Sequence, residues 1–228
     1  MAAPNPIDIV QRHSLASLVL RELERRILGG EFACGAKLNE ADLAEELGIS
    51  RGPIREAFRA LEQSGLVTTE KNRGVFVRQV SIEEADEIYE VRAALEGMIG
   101  RLAARRIAPA QVAKIRAVVK KMHAVSATRD AAAYYPLNVE LHELLVEAAG
   151  NKTLAANYRR VVNELNLYRR ETLERSAENI PLSIRDHEAI VEAVAKGNEQ
   201  LAERLLHEHV ITSRERLHKA LAESAPTA

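Results

Sequence analysis

The chain has 228 residues, with 32 Lys and Arg against 33 Asp and Glu, one cysteine and no tryptophan. That length holds one large domain or two modest ones; a hydrophobic fraction of 46% excludes wholesale disorder, and the lone Cys34 excludes an internal disulfide scaffold and fits a reducing compartment. No stretch approaches about 18 consecutive apolar residues and the first ten lack a charged segment leading into an apolar run, so neither a membrane span nor a signal peptide is expected, and the chain reads as cytoplasmic.

The first dozen residues carry two prolines and no periodicity, and read as a flexible tail over 1–12. Over 14–28, apolar Leu15, Leu18, Val19, Leu23 and Ile27 recur at helical spacing until Gly29-Gly30 stops them. A second helix is predicted over 40–47, with Leu43, Ala44 and Leu47 inward and Gly48 at its end. Ser50 serves as N-cap of a third, and Pro53 falls in its first turn, where a missing N–H costs little. Ile54, Ala57, Phe58 and Leu61 form its apolar face before Gly65 closes it. The period then changes. Residues 66–69 and 75–77 are β-prone runs separated by Glu-Lys-Asn-Arg-Gly, which suits a hairpin.

From Ser81 onward the pattern is helical. Ser81 and Glu84 form a capping box that opens a long helix to Arg106. Five more follow at 109–128, 130–149, 151–176, 183–196 and 198–221, with breaks at Gly150-Asn151, around Pro181 and at Gly197-Asn198. The fold expected is mainly α: a winged helix-turn-helix over 13–80, an all-helical bundle over 81–221 and a second tail over 222–228.

Charge separates sharply within the first part. Residues 31–49 hold one basic residue against five acidic, whereas residues 50–78 hold six against three. Arg51, Arg55 and Arg59 recur every four residues, so they share one face of the third helix and drift by about 40° per step. A helix with an apolar back and an arginine front fits the major groove, where Arg bonds guanine O6 and N7 bidentately. Lys71 and Arg73, with Gly74, lie at the hairpin tip and would reach adjacent backbone or minor groove, as a wing does. Arginines at this spacing are often only a solvated face, but turn, cap, arginine face and wing occur here in the order that DNA binding needs.

The run Leu38-Asn-Glu40, Leu43-Ala44, Leu47-Gly-Ile-Ser-Arg-Gly-Pro-Ile-Arg-Glu-Ala57, Leu61-Glu62, Gly65-Leu66 and Arg73-Gly74 strongly resembles the GntR family of bacterial transcription regulators. The remainder is similar to the helical FCD effector domain of the family's fatty-acid-regulator (FadR) branch, in the six-helix form of the vanillate-regulator (VanR) type. The resemblance runs from about Leu15 to Leu217 and implies DNA contacts by Arg51, Arg55 and the wing near Arg73-Gly74. Gly52 departs from the family's common Ser or Thr there and removes a phosphate-bonding hydroxyl. Residues 71–96, with Asn-Arg-Gly-Val-Phe-Val and Glu-Ala-Asp-Glu-Ile-Tyr-Glu-Val-Arg, also look like regulators associated with phosphonate utilisation.

Two features of the second part bear on ligands. Arg92 shares a helical face with apolar Ile88, Leu95 and Ile99, with Glu96 one turn on. The residues themselves allow a structural ion pair or a snorkelling arginine as readily as an anion grip; the resemblance favours effector binding by Arg92. Asn138 and His142 form an i, i+4 pair, His187 lies near the start of the penultimate helix, and His209 is on the last beside Leu205 and Leu206. Inward histidines on three helices are core residues more often than ligands, yet imidazoles converging in a bundle suit Zn or Ni. The resemblance implies a metal site of Asn138, His142, His187 and His209, with Asn138 where many relatives carry Asp.

The function expected is therefore a homodimeric, operator-binding repressor controlled by a small anionic metabolite, a carboxylate or a phosphonate, and not an enzyme. The alternative is a metal-dependent enzyme with an accessory DNA-binding module. His142-Glu143 and His187-Glu188 each begin a His-Glu-x-x-His motif, but Val146 and Val191 occupy the second histidine positions. Ala93, Gly97, Gly100 and Ala104 form a small-residue stripe that predicts a close helix contact, either with a second copy or within the bundle.

Overall fold

A computed structural model describes residues 15–126, 130–169 and 178–223. The expected tail over 1–12 lies outside them, as do residues 127–128 and 170–176 of two predicted helices. The chain divides after Ser81 into two compact units, with the segment from Asn163 at the end of one later helix grouped with the first.

The first unit opens with α1 (Leu15–Gly29), which buries Val19, Leu23 and Ile27 at four-residue spacing. Leu15 and Leu18, expected in that stripe, are exposed. Leu15 extends the line one turn beyond the core, and Leu18 sits off it. Next come β1 (Lys37–Leu38), α2 (Glu40–Glu46), α3 (Arg51–Gln63), β2 (Val67–Glu70) and β3 (Gly74–Val77). Asn39 caps α2 by accepting from the Ala41 N–H at 2.9 Å. Ser50 has the extended backbone of an N-cap, but its side chain makes no capping bond, so the expected hydroxyl cap is absent. The turn into α3 places Gly48 at φ 64°, a left-handed conformation that costs glycine nothing.

The sheet is antiparallel in the order β1-β3-β2. Val67 faces Val77 and Glu70 faces Gly74 across the hairpin, while Lys37 and Leu38 pair with Phe76 and Val75. Strand β1 is too short to show a period and escapes sequence reading. Its pairing closes the sheet against a core of Leu23, Ile27, Ile54, Leu61 and Leu66, all without exposed surface.

The second unit is all-helical: α4 (Ile82–Arg106), α5 (Pro109–Ser126), α6 (Ala131–Ala149), α7 (Lys152–Arg169), α8 (Ile180–Ala195) and α9 (Glu199–Glu223). Asp130 caps α6, Asn151 caps α7 through the Leu154 N–H, and Asn198 caps α9 through the Leu201 N–H. Helix α8 starts three residues before the expected Ser183, because Pro181 sits in its first turn, where proline is tolerated. Helix α9 runs through Ala222 and Glu223, expected in the tail.

Helix α4 packs along α9, and the small-residue stripe is used within the bundle at Gly97 and Gly100. A Cβ on Gly100 would lie 2.5 Å from the Ala202 carbonyl and 2.8 Å from Leu206 Cδ1, so only glycine admits this approach. The core runs through Ile99, Ala103, Ile115, Met122, Leu141, Leu145, Ile190, Val194 and Leu206. No helix among the described residues is long and apolar enough to cross a membrane.

Candidate functional site

Helix α3 buries Ile54, Ala57, Phe58 and Leu61 and leaves Arg51, Arg55 and Arg59 exposed. Arg55 donates from Nε to Glu40 Oε2 at 2.8 Å, which raises the guanidinium pKa and lowers that of Glu40. Glu40 lies fifteen residues away at the start of α2, and nothing in the sequence announces the pairing. On the hairpin, Lys71 and Arg73 are exposed. Arg73 pairs with Glu70 and rests 5.5 Å from the Phe76 ring centroid, a cation–π distance. Asn72 (φ 62°) and Gly74 (φ 115°) make the turn that presents these side chains.

In the second unit three imidazoles meet. His142 on α6, His187 on α8 and His209 on α9 are all buried, and one ligand nitrogen from each lies within 4.8 Å of the others. Their ring centroids are 5.4, 5.6 and 4.6 Å apart. Nε2 of His142 and of His187 is buried without a hydrogen-bond partner among the described residues. A buried, unsatisfied ring nitrogen is costly, and two aimed into one cluster are the donor set that a soft-to-borderline divalent ion requires.

Each histidine has a polar group at Nδ1. His142 Nδ1 lies 3.1 Å from Glu96 Oε2, and His209 Nδ1 lies 3.4 Å from Asp186 Oδ2. His187 Nδ1 lies 3.4 Å from the Tyr134 hydroxyl, which itself donates to Ser183 Oγ at 2.9 Å. Burial pushes the His187 pKa well below its ordinary value, and the positive charge of neighbouring groups adds to the effect. Burial also lowers His209, partly offset by Asp186. Neutral imidazoles with free lone pairs are the form that binds metal.

Arg92 stands beside this cluster on α4, 2% exposed. Its Nε and Nη2 both reach Glu96 Oε1 at 2.7 Å, and Nη1 is buried without a partner. Burial opposes the charge on Glu96, but Arg92 and His142 outweigh it and hold the carboxyl well below its usual range. The Nε and Nη2 side of the guanidinium is thus committed to Glu96, leaving the Nη1 amino group to meet an anion. Asn138, one turn before His142 on α6, is half-buried. Sequence reasoning named Glu96 as a partner for Arg92 but missed Asp186, Tyr134 and Arg216, whose contacts are made between helices. Among the described residues the other histidines lie elsewhere: His123 meets Glu188 and His218 meets Asp86, each at 2.7 Å, and His207 is exposed.

Comparison with known proteins follows this division. Residues 15–77 match the model of the bacterial regulatory proteins of the gntR family, and residues 87–212 match the FCD domain. The chain is 32% identical over 201 residues to the "Probable D-xylose utilization operon transcriptional repressor" of Paenarthrobacter nicotinovorans, covering 87% of each chain. It is 32% identical over 209 residues to the uncharacterized HTH-type transcriptional regulator YdhC of Bacillus subtilis (strain 168), covering 89% of this chain and 90% of that one. The solved structure of E. coli McbR/YncC shares the fold, with a TM-score of 0.77 at 20% identity over 92% of this chain and 99% of the other.

Proposed function

The chain belongs to the GntR family of bacterial transcription regulators, with an FCD domain following its DNA-binding module, and on that premise we propose that it is a homodimeric repressor whose hold on operator DNA is controlled by a small carboxylate at the three-histidine centre. Its relatives are regulators, which removes support from the enzyme alternative. Two copies place two α3 helices in successive major grooves of a pseudopalindrome, about 34 Å apart. Arg51, Arg55 and Arg59 face base edges and phosphates there, while Lys71, Arg73 and Gly74 bring the hairpin to the flanking backbone. Arg55 exchanges Glu40 for DNA, so Glu40 acts as an internal competitor.

The observation that carries the regulatory reading is the convergence of His142, His187 and His209, with the Nε2 atoms of His142 and His187 buried and unsatisfied. These three residues, with Asn138 as a neutral oxygen donor, would hold a divalent ion, Zn or Ni. Bound there, the ion supplies a Lewis-acidic positive charge that an oxyanion can ligate. The protein's own charges nearby cancel, Arg92 against Glu96 and Arg216 against Asp186, so the charge of the ion is left for a ligand to balance. Arg92 Nη1 is the remaining donor that can orient that ligand. The ligand acts only through unequal affinity for the DNA-competent and DNA-incompetent states.

The test is an electrophoretic shift with DNA from upstream of the chain's own gene, with a panel of small carboxylates and phosphonates added to the metal-loaded protein. Release by a carboxylate, lost in His187→Ala, supports the reading. Failure to shift that DNA rejects it, and release that His187→Ala leaves intact rejects the histidine centre as the control site.

A further inference from the structure

Two chains of like composition back the histidine centre from opposite sides. On one, Arg92 on α4 holds Glu96 Oε1, and the second oxygen lies 3.1 Å from His142 Nδ1, within ion-pair reach but not aligned as a hydrogen bond. On the other, Arg216 on α9 donates to Asp186 Oδ2 at 2.9 Å, and the same oxygen lies against His209 Nδ1. Both run arginine, carboxylate, imidazole, and both end at the same three-ring cluster. The third ring, His187, has only the neutral phenol of Tyr134 in that position.

We propose that Glu96 and Asp186 are positioning residues for a metal ion at this centre, each accepting the Nδ1–H of its histidine and so turning the lone pair of Nε2 inward. The inference rests on the metal reading given above and adds what sets the geometry and strength of that site. An imidazole can present either nitrogen, and the proton on one decides which. A carboxylate at Nδ1 fixes the proton there, restricts ring rotation and raises the basicity of Nε2. The vacant Nε2 atoms of His142 and His187 agree with this assignment. Tyr134 fits as well: its O–H donates to Ser183, and its oxygen, 3.4 Å from His187 Nδ1, can accept the Nδ1–H. Arg92 and Arg216 hold the carboxylates in place and offset their charge, so the donors presented to the ion are neutral. His142 and His209 are thereby the stronger donors and His187 the weaker. Arg92 is also joined to the ion's environment through Glu96, so an anion drawn to Arg92 Nη1 and the metal affinity of His142 affect each other reciprocally.

The experiment measures Zn2+ affinity of the full chain, stripped and then titrated in competition with a chromophoric chelator. Asp186→Asn is the principal variant, because the Asp186 side chain is about a third exposed and the bundle is expected to stay folded without its charge. We expect about 10- to 100-fold weaker Zn2+ binding, with thermal unfolding of the metal-free protein close to wild type and recovery to within a few-fold in Asp186→Glu. Glu96→Gln weakens Zn2+ in the same direction; should it fail to fold, Asp186→Asn decides. A role confined to packing would lower the unfolding temperature of the metal-free protein and leave Zn2+ affinity unchanged, which overturns the proposal. Wild-type protein that binds no Zn2+ overturns the metal reading itself and this inference with it. Wild-type binding with an unaltered Asp186→Asn overturns the positioning role alone.

Discussion

Glu96→Gln tests the electrostatics of the second unit where the consequences are largest. Glu96 and Arg92 are 1% and 2% exposed, and two guanidinium N–H groups converge on one carboxylate oxygen at 2.7 Å. The amide keeps the shape and removes the charge, so the buried guanidinium loses its carboxylate, and the face of Tyr89, whose ring centroid is 6.0 Å away, is no replacement for it. Breaking one side of a buried pair in this way costs about 3–5 kcal/mol. Replacing both partners with apolar residues of similar volume, Arg92→Met with Glu96→Leu, removes the stranded charge and is often neutral or stabilising. The double variant is therefore expected to be more stable than Glu96→Gln, although it carries two changes. Urea unfolding of the metal-free proteins, followed by circular dichroism with a shared m-value, measures both differences. Glu96→Gln within about 0.5 kcal/mol of wild type, a typical surface effect, would refute the argument, as would a double variant less stable than the single one.

Arg55→Ala should cost about 1–3 kcal/mol on the operator and relax preference at one base pair, whereas Arg73→Ala should weaken all sequences alike and reduce the salt slope by about one, both read by fluorescence anisotropy. Asn138→Asp should tighten Zn2+ binding and weaken the anionic effector, opposite signs from one substitution, measured by calorimetry. The pH dependence has a definite sign. His187 and His209 titrate lower in the folded protein than the ordinary 6.5, so below that pH the unfolded chain binds more protons. Their contribution is complete above about pH 6.5 and is lost as pH falls, at up to about 1.4 kcal/mol per pH unit for each histidine, so thermal unfolding of the metal-free protein should shift downward below pH 6.5.

The elements that announce themselves in the sequence are those with a repeating pattern and a terminal signal. Ile54, Ala57, Phe58 and Leu61 mark α3, Gly48 and Gly65 bound it, and the change from helical to alternating period marks the hairpin. Strand β1 has two residues and so no period to read. Leu15 and Leu18 match the helical spacing but are exposed, because periodicity says which face is apolar and not how far the core extends along it. At the centre, Asn138 and His142 are related by helix geometry, but the meeting of His142, His187 and His209 depends on how three helices pack, and only the family resemblance implied it. Asp186, Tyr134 and Arg216 had no local signal, since each acts on a residue of another helix. The commitment of Arg92 to Glu96 was visible as an i, i+4 pair; that it absorbs most of the fork was not.

The most direct measurement is equilibrium dialysis of the stripped full chain against Zn2+, with His187→Ala alongside. About one ion per wild-type chain, held by the three imidazoles, is expected, with loss of that ion when one imidazole is removed. Wild-type protein that takes up no ion, or His187→Ala that takes it up as tightly as wild type, would contradict it and return the three histidines to the core.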